Sequence, residues 1–111
     1  MTRHDDDTTL RQMLERAGEL VHLTAGRCEA DLGTDRMFEL SVPHLLAILG
    51  ETAARASREF RAAHPEIPWR DMVDLRNYLI HVYDHVNHSV VWHTVSVEVR
   101  QLLNVLERIL R

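Results

Sequence analysis

The sequence predicts an all-α protein, a four-helix bundle. Four stretches carry apolar residues at helical spacing, no stretch alternates apolar and polar residues with period two, and the prolines fall at starts or joints. At 111 residues the chain is one domain by size, residues 1–111, with room for a single hydrophobic core.

The first helix is expected from about Thr9 to about Ala30. Leu10, Met13, Leu14, Ala17 and Val21 share a face, behind a Thr9-x-x-Gln12 capping box and acidic residues that suit a helix start. Gly33 and its polar neighbours break that pattern, and Ser41 with Pro43 just inside it offers a second start. Leu45, Leu49, Ala53, Ala56 and Phe60 then mark one face. Gly50 lies within this helix, where glycine costs roughly 1 kcal/mol against alanine, and so points to a close helix crossing.

The segment His64-Pro65-Glu66-Ile67-Pro68-Trp69 cannot continue a helix, because each proline restricts the residue before it. A tight connector is expected there. Met72, Leu75, Leu79 and Val82 form the apolar side of a third helix ending near Tyr83, and Asn87 caps a fourth. That last helix carries Val91, Val95, Val99, Leu102, Leu106 and Ile109 on one face. Met13, Met37, Met72, Trp69 and Trp92 are expected in the core rather than as base-stacking platforms.

Composition removes several function classes. With 45% hydrophobic and 27% charged residues, the chain falls within the ordinary globular range and outside the disordered and fibrous ones. Asp5, Asp6 and Asp7 occupy the place where a secretory segment would be apolar, and Leu40 to Gly50 is too short to span a bilayer, so a cytoplasmic protein is expected. The lone Cys28 supports neither an internal disulfide nor a cysteine-rich metal site and reads as a small buried hydrophobe.

The net charge of −4 has the wrong sign for a broad nucleic-acid-gripping surface. The charge is unevenly placed, however. Residues 1–54 hold five Arg against ten Asp or Glu, whereas residues 55–111 hold eight Arg against seven, with five of the eight His. A polyanion should therefore meet the second half.

The chemistry-bearing residues cluster on the third helix, in Arg76-Asn77-Tyr78-Leu79-Ile80-His81-Val82-Tyr83. An Arg suits a scissile phosphate because its planar fork binds two oxygens and neutralises charge that grows in the transition state. A His suits proton transfer because it titrates near neutrality. Together they fit RNA cleavage by the ribose 2′-hydroxyl, which needs a base, an acid and a phosphate clamp but no metal or other cofactor. At about 100° per residue Arg76 and His81 point about 140° apart, so one chain looks incomplete, whereas two-fold packing of the third helix would bring two Arg76 and two His81 to a shared cleft. On residue types alone a second reading stays open: Arg76 pairs with Asp71, Asp74 or another carboxylate, and His81 is an ordinary helix residue.

Four words in register extend this pattern. They are Leu49-Gly50-Glu51-Thr52-Ala53, Phe60-Arg61-x-x-His64-Pro65-Glu66-Ile67-Pro68-Trp69-Arg70, Arg76-Asn77-x-x-x-His81-x-Tyr83 and Val91-Trp92. With them the chain resembles the HepT family of bacterial toxins, members of the HEPN superfamily of helical RNases. The resemblance implies a HEPN-like bundle acting as a homodimer, a metal-independent RNase with Arg76 and His81 as the cutting residues and Asn77 as their polar support. It also implies an antitoxin partner, the minimal nucleotidyltransferase MntA, which transfers AMP to the tyrosine of the Arg-x4-His-x-Tyr motif, here Tyr83. An AMP there would put phosphate and bulk beside the cleft and repel RNA. Two words depart from the family pattern. His44-Leu45-Leu46-Ala47 stands where many relatives have Arg-Asn-x-Glu, which removes that word's polar groups from the second helix. Val99-Arg100 replaces a frequent Leu-Pro and lengthens the last helix.

Two further readings compete with this one. His81, His85 and His88, with Asp84 and His93 nearby, could ligate a metal if one helix ran unbroken through residue 88. Alternatively, the fold could be a non-catalytic binding module for the nucleotidyltransferase.

Overall fold

The computed structural model describes residues 3–82 and 85–111, and among them only helices and connecting turns occur, with no strand. The described residues form seven α-helices: α1 (Arg3–Thr24), α2 (Asp31–Thr34), α3 (Arg36–Ala53), α4 (Arg58–Ala63), α5 (Trp69–His81), α6 (His88–His93) and α7 (Val99–Leu110). A π-helical segment, Thr94–Glu98, joins α6 to α7, so these three form one continuous rod. The long elements α1, α3, α5 and this rod make the expected bundle. Helix α3 lies at its centre, packed on α1 and α5, while α1 also packs along α7. Met13, Leu20, Val42, Val91, Val95 and Leu106 are fully enclosed between them.

Several boundaries differ from those the local pattern suggests. Helix α1 starts at Arg3, not at Thr9, and Thr9 is buried within it. Asp6, in the first turn, is also buried, and accepts hydrogen bonds from the Ser57 backbone N–H (2.9 Å) and hydroxyl (2.6 Å). The carboxylate thus gains partners from a distant segment while it complements the helix dipole. The other end comes at Thr24 instead of Ala30, because Gly26 adopts φ +73°, a left-handed conformation that terminates a helix.

The second long helix begins at Arg36, so that Ser41 and Pro43 lie inside it. Its N-cap is Asp35, whose side chain accepts from the Phe38 N–H at 3.2 Å. The Arg27 guanidinium bonds both Asp35 (2.8 Å) and Asp31 (3.1 Å) and lies 4.0 Å above the Phe38 ring. Arg27, followed by the Phe38 N–H, holds the Asp35 carboxyl below the usual range. This helix ends at Ala53 and not beyond Phe60. Ser57 caps a separate α4, accepting from the Phe60 N–H at 3.1 Å, and Arg61 donates to the carbonyls of Ala54 and Ala56 at 2.8 and 3.2 Å.

The connector is as tight as its prolines predict. Ile67 is 2% exposed, and the buried Trp69 donates its indole N–H to the His64 carbonyl at 3.0 Å while meeting Phe60 edge to face. Asn87 is the cap of α6, as expected, accepting from Ser89 and Val90. Two smaller expectations fail: Met37 is 71% exposed and Cys28 is exposed, whereas Met13 and Met72 are in the core. No helix among the described residues is long and apolar enough to cross a membrane.

Candidate active site on helix α5

Helix α5 is positioned by the connector at its start and by α3 along its length. At the crossing, a methyl group at position 50 would lie 2.7 Å from Arg76 Cβ and 2.8 Å from the Met72 carbonyl oxygen. Gly50 is therefore the contact point, as its place in the sequence suggested, and its lack of a side chain sets how closely α5 approaches.

That approach brings Glu51 to Arg76. Its Oε1 stands 3.2 Å from Arg76 Nη1, so the cation does pair with a carboxylate, as the second reading of the sequence allowed, though with neither Asp71 nor Asp74. The Arg76 side chain is 25% exposed and that of Glu51 51%. Arg76 Nε is buried and has no hydrogen-bond partner among the described residues. A buried donor in that condition costs free energy unless something satisfies it. Glu51 stands in one of the four family words, but its pairing with Arg76 was not singled out, because residues 51 and 76 meet only through the folded crossing. The available signal was its place next to Gly50.

His81 is the last residue of α5 and is exposed. Its Nδ1 lies 2.7 Å from the Asn77 carbonyl oxygen. A carbonyl only accepts, so Nδ1 donates, and Nε2 is the ring nitrogen left for proton transfer. Asn77 thus supports His81 through its backbone, and its side chain is exposed. No contact between Arg76 and His81 occurs within the chain among the described residues. The helix stops two residues before the expected end, and Tyr83 lies outside the described residues. Tyr78, within the same word, accepts the Asn87 N–H at 3.2 Å on its phenolic oxygen and so ties the end of α5 to the cap of α6.

The unbroken helix that a His81, His85 and His88 metal site needs is absent, since α5 ends at His81. His88 Nε2 instead lies 3.0 Å from Glu39 on α3, whose carboxyl Arg36, and secondarily His88, hold below its ordinary range. Among the described residues no group of three or more His, Cys, Asp or Glu is placed to hold a metal ion. A cleft of about 260 Å³ opens between α5 and the α6–α7 rod, floored by Leu49, Met72 and Leu102 and bordered by Asp71, Asp74 and Glu98. Neither Arg76 nor His81 lines it, and its carboxylates would repel a phosphate backbone.

These features define an all-α protein of HEPN-like fold whose candidate site is an Arg and a His on one helix. Residues 13–109 match the family model described as Ribonuclease HepT-like, and the chain belongs to that family. It is 33% identical over 103 residues to a protein of Thermococcus cleftensis provisionally named a ribonuclease HepT, covering 89% of this chain and 94% of the relative. A Methanocaldococcus jannaschii protein with a provisional RNase name is 29% identical over 107 residues, covering 96% and 98% of the two chains. A Caldanaerobacter subterraneus protein, also provisionally named an RNase, is 28% identical over 102 residues, with 92% and 91% covered. No solved structure gives a significant match.

Proposed function

We propose that the chain is the toxin of a toxin–antitoxin pair, a metal-independent endoribonuclease whose cleft forms between two copies. The observation that carries this reading is the state of Arg76 in a member of this ribonuclease family: a guanidinium held beside α3 with its Nε–H unsatisfied among the described residues, on the helix that also presents Nε2 of His81.

In the proposed reaction one His81 takes the proton of a ribose 2′-hydroxyl as its oxygen attacks the adjacent phosphorus. The bond from phosphorus to the 5′-oxygen breaks, and the second copy's His81, protonated, gives that oxygen its proton. Arg76 neutralises the charge developing on the phosphoryl oxygens. One chain offers a single His81, and its Arg76 lies about 140° away around the helix, which is why two copies are needed.

The expected products end in a 2′,3′-cyclic phosphate and a 5′-hydroxyl, and EDTA leaves the rate unchanged. Cleavage that stops with EDTA and returns with added metal would contradict this chemistry. Regulation falls to the MntA-type partner, which would transfer AMP from ATP to the Tyr83 oxygen with release of pyrophosphate. Co-expression with a competent antitoxin should add the mass of one or more AMP units, mapped to Tyr83, and Tyr83→Phe should keep RNase activity but escape this inhibition. Neutralisation with Tyr83 unmodified would instead indicate steric blocking.

A further inference from the structure

The geometry points to Glu51 as the residue that positions Arg76 for the phosphate, an inference that rests on the function proposed above. Arg76 is joined to the rest of the described chain by one charged contact, 3.2 Å from Nη1 to Glu51 Oε1. That contact engages one corner of the fork. It leaves Nη2 without a protein partner among the described residues, while Nε is buried behind it.

Placement explains how this comes about. Glu51 follows Gly50, the residue against which the Arg76 stem packs, so the closest point of the crossing also fixes where the carboxylate stands. About half of the Glu51 side chain is exposed, against a quarter of that of Arg76. An exposed carboxylate next to a phosphate-binding cation opposes binding of a polyanion. Its useful contribution is therefore orientation: an arginine has a long flexible stem, and a carboxylate paired with Nη1 limits the poses of the fork. Glu51 touches neither the substrate nor the reacting atoms and acts through Arg76.

The test is steady-state cleavage of a fluorophore-labelled mixed-sequence oligoribonucleotide by the parent chain, Glu51→Ala, Glu51→Gln and Arg76→Ala. Glu51→Ala should lower kcat by about ten- to a hundredfold, the usual effect of misplacing a catalytic group. Its KM should stay unchanged or fall, because a repelling charge is gone. Glu51→Gln should keep more of kcat than Glu51→Ala, since its amide oxygen can stand where the carboxylate oxygen stands and face Nη1, and should lower KM. The two variants' melting temperatures should stay close to that of the parent, because the pair is partly exposed. Parental kcat in Glu51→Ala, or equal losses of kcat in the Ala and Gln variants, would overturn the positioning role. Equal cleavage by Arg76→Ala and the parent would overturn the functional reading itself, and the role of Glu51 with it.

Discussion

Arg76→Ala and His81→Ala each abolish RNA cleavage while leaving helical content and melting temperature close to those of the parent. Removing a general acid or base costs about 10²- to 10⁴-fold, and removing a preorganised donor to a developing oxyanion about 10²- to 10³-fold. A two-copy cleft loses both of its copies of the residue at once, which places the expected effect at the upper end of these ranges. The fold should tolerate both changes. His81 is exposed at the end of α5, and among the described residues its ring bonds only a carbonyl of its own helix. The partly exposed ion pair that Arg76 makes with Glu51 contributes about 1 kcal/mol or less. Cleavage by gel assay with circular dichroism on the same samples checks this. Residual activity within about tenfold of the parent in either variant would remove that residue from the proposed chemistry. Parental toxicity of both variants in cells would favour the non-catalytic binding-module reading.

The second large effect is expected at the crossing. Gly50→Ala should lower the melting temperature, although alanine is the better helix former by about 1 kcal/mol. The added methyl group would sit 2.8 Å from a backbone carbonyl and 2.7 Å from Arg76 Cβ, and neither is the free end of a flexible side chain. Helices α3 and α5 must therefore separate, and overpacking of this kind costs about 1–3 kcal/mol, or roughly 4 °C of melting temperature per kcal/mol at this chain length. Cleavage should fall further than stability, because the movement carries Arg76 away from Glu51. Gly18 in α1 supplies the control: a methyl group there meets nothing within 4 Å, so Gly18→Ala should raise the melting temperature. Thermal unfolding of both variants decides, and a Gly50→Ala protein as stable as the parent would show that the crossing yields.

What the sequence reveals about this protein follows the range of the forces involved. Helical periodicity placed Val91, Val95, Val99, Leu102 and Leu106 in the core, because burial of one face is a local pattern. Pro65 and Pro68 marked the connector, Asn87 the cap, and Gly50 the crossing, each through chemistry within a few residues. The start of the first helix was misread because a long-range partner, Ser57, satisfies Asp6, and that of the second because Ser41 with Pro43 was read as the start in place of the local cap Asp35. The break after Ala53 was hidden because Ala56 and Phe60 continue the apolar spacing of α3 although Ser57 begins another helix. In the candidate site, Arg76 and His81 were legible from their chemistry and from family resemblance. The partner of Arg76 was not, since no local pattern links residues 51 and 76.

The central claim, that one cleft draws on two copies of His81, is tested most directly by titrating the parent chain with His81→Ala protein under conditions that allow subunit exchange, and measuring RNA cleavage at constant total protein. If both copies of His81 are required, only parent–parent pairs cut, and activity falls as the square of the parent fraction, to about a quarter at equal amounts. A linear fall, to about half at the same point, would mean that each chain cuts with its own His81 and would contradict the shared cleft.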